Sequence, residues 1–167
     1  MDIHELFEAA GKLHGHLCPG LAIGVRASVE AAGLLQGELR CVMESRACWA
    51  DGLQSVLGAT VGNGRLHLRE TGKPVFNFYG HGGELRLYLR PLPKLPDKSA
   101  LIEHILTAPA AEIFCFGIPH VQLPDAPQHI EERPCALCGE LTREDFLQIR
   151  CGVPVCADCA EKQSPDR

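Results

Sequence analysis

The stretch Leu13-His14-Gly15-His16-Leu17-Cys18-Pro19-Gly20 holds two histidines and a cysteine directly ahead of a segment with helical character. Pro19 suits the first turn of a helix, where its missing N–H costs no hydrogen bond. The segment that follows is rich in small residues and carries an apolar stripe at steps of four, Leu17, Leu21, Val25 and Val29. This pattern predicts a thin helix that packs closely against its neighbours. The stretch therefore joins metal-ligand chemistry to the start of a central helix.

Outside this stretch, helical and strand patterns alternate along the chain. Helices are predicted over residues 2–12, 48–57 and 98–106, and strands over residues 38–45, 66–68, 74–79, 84–90 and 112–116. His81-Gly82-Gly83 forms a turn, which makes the two strands beside it antiparallel. This order of elements predicts an α+β fold with a mostly antiparallel sheet and packed helices.

The composition is that of a globular chain: of 167 residues, 46% are hydrophobic and 22% are charged. The net charge of −5 disfavours general affinity for nucleic acid or anionic membranes. The first residues lack the basic and then apolar pattern of a signal peptide, and no apolar run reaches the roughly 20 residues of a membrane helix. We therefore expect a cytoplasmic protein with no membrane contact. Thiols stay reduced there, so nine cysteines indicate metal or redox chemistry rather than disulfides.

Two C-x-x-C knuckles near the C-terminus, Cys135/Cys138 and Cys156/Cys159, are separated by residues 139–155. Four thiolates at this spacing close a tetrahedron around Zn²⁺, and a module this small needs such a staple. We predict a structural zinc in a treble-clef or zinc-ribbon module; a dithiol redox pair is the alternative. The predicted helix runs over 157–163, Cys151 is expected to be buried and not a ligand, and the expected minimal core is Phe146, Leu147 and Ile149.

These observations divide the chain into two predicted domains. Residues 1–125 form an α+β metal-binding core, and residues 130–167 form the four-cysteine zinc-finger module. Acidic residues outnumber basic ones in the second domain, and no basic stripe with interleaved aromatic residues is present. Docking a protein partner is therefore the expected role of this module in preference to nucleic-acid binding.

The candidate core site begins with His16 and Cys18, whose alternate positions in an extended loop let both reach one metal ion. Cys18 precedes the helix start, where the helix dipole and free N–H groups favour the thiolate. Cys48 is likewise at the start of the next predicted helix, and Asp51, three residues later, would lie on the same face of that helix. If the two helix starts converge, His16, Cys18 and Cys48 supply three ligands and leave a fourth position open, as in catalytic zinc sites.

Several of these assignments have alternatives. His14 competes for the fourth ligand position. Asp51 orients a ligand, acts as an acid or base, or is only an early-turn acid favoured by the helix dipole. Cys48, taken alone, is also compatible with a small buried residue.

Three motifs in this order resemble the formylmethanofuran dehydrogenase E-subunit family: residues 14–20, Cys48-Trp49-Ala50-Asp51-Gly52-Leu53-Gln54, and residues 58–64. The two C-terminal knuckles look like the treble-clef zinc finger of many members. The resemblance implies an α+β core with a metal-binding groove, often in a dimer. It maps the metal site onto His16, Cys18, Cys48 and Asp51. It also associates the family with the molybdenum or tungsten enzyme that reduces carbon dioxide onto methanofuran. Ala59 departs from the pattern, since some members are expected to carry a cysteine there.

We therefore expect a metal-binding protein with zinc in the C-terminal module and zinc or another transition metal in the core site. The favoured role is an accessory or metal-handling subunit, expected as a homodimer, that associates with a molybdenum or tungsten oxidoreductase. The alternative is a free-standing metalloenzyme with an open coordination position, in which Asp51 or His14 acts as acid or base. A zinc-finger regulator is disfavoured by the charge balance.

Overall fold

The computed structural model describes residues 2–125 and 131–162. The chain divides into two compact units, Met1–Ala126 and Pro127–Arg167. The first unit contains five helices among its described residues: α1 (Ile3–His14), α2 (Pro19–Leu34), α3 (Trp49–Leu57), α4 (Lys98–Thr107) and the short α5 (Ala110–Ile113). It contains the strands β1 (Gln36–Met43), β2 (Leu66–Leu68), β3 (Val75–His81), β4 (Gly83–Leu89) and β5 (Phe114–Gly117).

The sheet of the first unit has the strand order β2-β1-β3-β4-β5. Only the edge pair β1 and β2 is parallel, and the other three pairs are antiparallel. The tight β3–β4 hairpin turns at Gly82, which has a φ of 80°. This architecture confirms the predicted α+β class with a mostly antiparallel sheet. The predicted strand over 112–116 is partly wrong, because the Ala110-Ala111 pair after Pro109 starts α5 instead and β5 begins only at Phe114.

One face of the sheet forms the core with the helices. Alternate strand residues such as Cys41, Phe76 and Leu87 are fully buried there, together with Leu21 and Leu53 from α2 and α3. Residues at the intervening positions face the opposite side of the sheet.

The helices α2 and α3 touch backbone to backbone at two glycines. A Cβ on Gly24 would overlap the main chain of Trp49, and a Cβ on Gly52 would lie 2.7 Å from the Val25 nitrogen. A side chain at either position would therefore push the helices apart. The small residues predicted for the central helix serve this close approach.

The second unit consists of two hairpins and a helix among its described residues. Strand β6 (Glu132–Pro134) pairs with β7 (Leu141–Arg143), and a 3-10 turn follows over Glu144–Phe146. Strand β8 (Gln148–Arg150) then pairs with β9 (Val153–Val155), and α6 covers Ala157–Lys162. The predicted helix end at Gln163 and the predicted domain start at residue 130 lie outside the described residues.

Two sequence predictions for the second unit are wrong. Phe146 and Ile149 are 61% and 70% exposed, because three of the four knuckle cysteines already fill the centre of the unit with Val155 and Ala160. The Phe146 ring instead lies beneath the Arg143 guanidinium at 5.1 Å. Cys151 is exposed rather than buried, since it occupies the β8–β9 turn with a φ of 50°. No helix of the described residues is long and apolar enough to cross a bilayer.

Candidate metal centre

The loop between α1 and α2 presents the two histidines and the cysteine of residues 13–20. The helix α1 ends at His14 because Gly15 adopts the left-handed conformation, with a φ of 88°. Cys18 is the N-cap of α2 in an extended conformation, and its Sγ accepts the Leu21 N–H at 3.3 Å. His14 at the end of α1 and Cys18 at the start of α2 therefore stand at the two ends of a short turn, where their side chains meet.

His14, His16 and Cys18 each offer one donor atom, and the three atoms lie within 4.8 Å of one another. The Nε2 of His14 is 3.8 Å from the Cys18 Sγ. In a tetrahedral zinc site, the usual Zn–N and Zn–S bond lengths give an N···S separation of about 3.6 Å. The donor spacing in the described structure therefore fits a zinc-sized ion. His16 is exposed whereas Cys18 is buried, so the cluster is open to solvent on one side.

Asp51 of α3 holds the His14 ring in place. Its Oδ2 lies 2.7 Å from the His14 Nδ1, and its Oδ1 accepts the Gln54 side-chain N–H at 3.1 Å. A carboxylate at Nδ1 keeps the proton on that nitrogen and leaves the Nε2 lone pair free toward Cys18. This arrangement is typical of metal-binding histidines, and it uses both carboxylate oxygens of Asp51.

Cys48 lies beside this cluster but is not among the three donors that are mutually close. A Cβ built on Gly20 would lie 3.1 Å from the Cys48 Cβ and 4.0 Å from the Cys18 Sγ, so both cysteines border the same small space. Cys48 precedes α3 in a helical conformation and makes no side-chain cap bond. Burial and the adjacent Cys18 thiol raise the pKa of Cys48. The expectation that Cys48 repeats the N-cap geometry of Cys18 is therefore wrong, although the two helix starts do converge.

The three close donors are not the same three residues as in the sequence prediction. The predicted trio was His16, Cys18 and Cys48, with His14 as a competitor, whereas His14 belongs to the tightest group and Cys48 stands beside it. In the sequence, the spacing of four residues between His14 and Cys18 indicates that His14 can be a ligand. An acidic residue in the first turn of α3 indicates Asp51 as a possible hydrogen-bond partner.

The second unit brings its four knuckle cysteines, Cys135, Cys138, Cys156 and Cys159, within 4.8 Å of one another. The Sγ atoms of Cys138 and Cys156 are 3.9 Å apart, close to the S···S edge of about 3.8 Å expected for tetrahedral zinc. The Cys156 N–H also donates to the Cys135 Sγ at 3.3 Å. The cluster fits a zinc ion by geometry and by donor type.

The four thiols differ in how readily they ionise. Backbone N–H groups of Cys138 and Cys156 lower the pKa of Cys135 to about 6. The neighbouring Cys156 thiol and burial raise the pKa of Cys159 to about 12. Four adjacent thiolates repel one another, so full ionisation of the group requires a divalent ion between them.

Comparisons with known proteins identify the family and the fold. Residues 13–114 match the family model described as "FmdE, Molybdenum formylmethanofuran dehydrogenase operon". The fold is similar to that of a tungsten formylmethanofuran dehydrogenase E-subunit (FmdE)-like protein from Syntrophus aciditrophicus, with a TM-score of 0.69 and 19% identity over 96% of this chain and 93% of that one.

A second relative matches a smaller part of the chain. A probable S-adenosyl-L-methionine-binding protein from Archaeoglobus fulgidus is 34% identical over 79 residues. The match covers 41% of this chain but only 22% of the length of that relative. The likeness therefore concerns one segment of a longer protein.

Proposed function

The chain belongs to the FmdE family, and on that premise we propose that its first unit holds a transition metal ion through His14, His16 and Cys18, with Cys48 beside them. Zinc suits the mixed nitrogen and sulfur donors. Cys135, Cys138, Cys156 and Cys159 hold a second, structural zinc. The family and the close cysteine cluster support a metal-binding protein; the ligand sets and the identity of the metals are our proposal.

The observation that carries the core site is the bridge from Asp51 through His14 to Cys18. The Nε2 of His14 is able to accept the Cys18 S–H, and the same lone pair also points to where a metal ion shared with Cys18 would lie. Here the carboxylate fixes the ring from the other side at 2.7 Å, and the two donor atoms stand 3.8 Å apart. This is the geometry of a metal-binding histidine supported by a second residue.

Metal analysis of purified protein tests the proposal directly. We expect two metal ions per chain in the wild type and one in Cys18→Ser, with the fold retained. Cys115→Ser is the matched control, because Cys115 lies on β5 outside both clusters. Two ions in Cys18→Ser, or one ion in the wild type, would contradict the core site.

We propose further that the protein serves as an accessory or metal-handling subunit of a molybdenum or tungsten oxidoreductase. The family description and the Syntrophus structure support this role, since both name formylmethanofuran dehydrogenase. Native purification with a tag on the chain should then recover a molybdenum- or tungsten-containing enzyme at fixed stoichiometry. Recovery of the chain alone from cells that express such an enzyme would argue against the role.

The exposed His16 supports a second candidate, a free-standing metalloenzyme. Three mutually close donors leave a tetrahedral ion one position for a substrate or water, and bound zinc would supply Lewis acidity there. Asp51 already accepts hydrogen bonds on both oxygens, which favours orienting His14 over proton transfer to a substrate. Competitive binding of a small thiol at the core metal, with no oxidoreductase in the native complex, would favour this candidate.

A further inference from the structure

A cavity of about 400 Å³ lies against β3 and β4 on the sheet face opposite the helices. Val75 and Tyr88 are register partners on that face and line the cavity together with Pro74, whereas Leu89 also borders it but packs against the core on the other face. The floor is therefore apolar, with one aromatic wall. Its size falls within the usual range of pockets for small organic ligands, roughly 300–1,000 Å³.

Arg86 is held rigidly at this cavity by a buried polar network. Its Nη1 donates to the Oε1 of Glu44 and, at 2.9 Å, to the Oδ1 of Asn77. Asn77 is fully buried and donates in turn to Glu44 at 3.1 Å, and Thr71 donates to the other Glu44 oxygen at 3.1 Å. Burial opposes ionisation of Glu44, but these hydrogen bonds outweigh it and lower its pKa. The guanidinium is therefore fixed before any ligand arrives.

The remaining N–H groups of this guanidinium are available. The Arg86 side chain is only 12% exposed, yet among the described residues its Nε and Nη2 have no hydrogen-bond partner. Neither atom is a buried donor without a partner, so both reach solvent in the cavity, where an acceptor that enters can replace water. The planar fork of donors matches a carboxylate or phosphate oxygen pair.

The other ionisable side chains that line the cavity are also basic. Lys73 and His120 complete its lining, and no carboxylate is among the lining residues in the described part of the chain. Glu44 compensates Arg86 from behind the lining, which leaves Lys73 uncompensated at the cavity. A small anion is therefore attracted, and a cation is repelled.

We propose that this cavity binds a small organic acid, with its carboxylate on Arg86 and Lys73 and its apolar body against Pro74, Val75 and Tyr88. The site uses none of the residues of either cysteine cluster.

Titration of the full-length, metal-loaded protein with benzoate tests the proposal by calorimetry and by NMR shifts of backbone amides. We expect saturable binding with shifts centred on residues 73–75, 86–89 and 120. Benzamide, the neutral isostere, should bind at least tenfold more weakly. Inorganic phosphate should also bind at least tenfold more weakly, because it lacks the apolar body. Equal affinity for benzamide or for phosphate, or shifts centred elsewhere, would overturn the proposal.

Two variants separate binding from folding. Lys73→Glu changes an exposed residue and should lower benzoate affinity at least tenfold with unchanged thermal unfolding, whereas Lys98→Glu, the same change at the start of α4, should leave affinity unaltered. Arg86→Lys keeps the ion pair with Glu44 but loses the planar fork, so affinity should also fall. Wild-type affinity in a folded Lys73→Glu protein would refute the site, even if Arg86→Lys failed to fold.

Discussion

The two cysteine-bearing clusters are built in opposite ways. In the second unit, four thiols come from two short knuckles, and three of them make up most of the core of that unit. In the first unit, the donors come from one loop, but their orientation depends on Asp51, which is 37 positions from His14 in the chain. On the proposed function, the closed cluster depends on its ion for the fold, whereas the open cluster depends on the fold for its geometry. Substitutions should expose this difference, and the largest effect is expected at the closed cluster.

Cys135→Ser should unfold the second unit and leave the first unit intact. Binding of a structural zinc supplies about 10–16 kcal/mol in small zinc modules, far more than Val155 and Ala160 can replace. Amide NMR spectra should lose the dispersed signals of residues 131–162 only. Cys151→Ser is the control, because its exposed thiol lies outside the cluster. A folded second unit without metal would erase the contrast between the two clusters.

Gly24→Ala should destabilise the first unit by about 2 kcal/mol, because its Cβ would overlap the Trp49 main chain. The same change at Gly33 of α2, where a Cβ meets nothing within 4 Å, should stabilise the unit by up to about 1 kcal/mol through helix propensity. Chemical unfolding of both variants checks the opposite signs. If both substitutions stabilised the protein, the α2–α3 contact would not be what positions the open cluster.

Asp51→Ala should weaken the core metal by about 10–100-fold and leave the second-unit metal unchanged. The variant frees the His14 ring to rotate, so the Nε2 no longer points toward Cys18. Competition with a chromophoric chelator measures the two affinities separately. Asp97→Ala removes a helix-capping acid elsewhere in the first unit, and both metal affinities should survive it. A uniform loss at both sites in Asp51→Ala would mean general destabilisation.

Acidification should affect the first unit through Glu44. Because the folded-state pKa of Glu44 is lowered, its contribution to the free energy of unfolding is complete above the ordinary glutamate range and is lost as the pH falls below it. Glu44→Gln should therefore show a smaller loss of first-unit stability between about pH 6 and pH 3 than the wild type. Denaturant unfolding of the metal-free protein, followed by the fluorescence of Trp49, measures the stability of this unit separately. If stability falls equally with pH in the two proteins, Glu44 does not cause the acid sensitivity.

Local chemistry made parts of the molecule predictable from sequence. Cys18-Pro19 marks a helix start by capping rules, and paired C-x-x-C spacing encodes its own cluster. The predicted family and α+β class are confirmed for the same reason, since both follow from motifs and periodicity.

Features that need the tertiary structure could not be predicted in this way. The orientation of His14 by Asp51 joins separate helices, and the Glu44–Arg86 pair joins the residue after β1 to β4. Apolar character also misled the core prediction for Phe146, because sulfur atoms rather than aromatic rings fill the small unit.

The backbone contact at Gly24 and Gly52 has a kinetic consequence. Since helix packing and the Asp51–His14 hydrogen bond hold the core donors in place, an ion bound at the proposed site should exchange without any opening of the fold. The residence time of such an ion would then be set by ligand dissociation at the exposed His16 and not by unfolding. We therefore expect metal at the proposed core site to exchange faster than metal at the four-cysteine cluster.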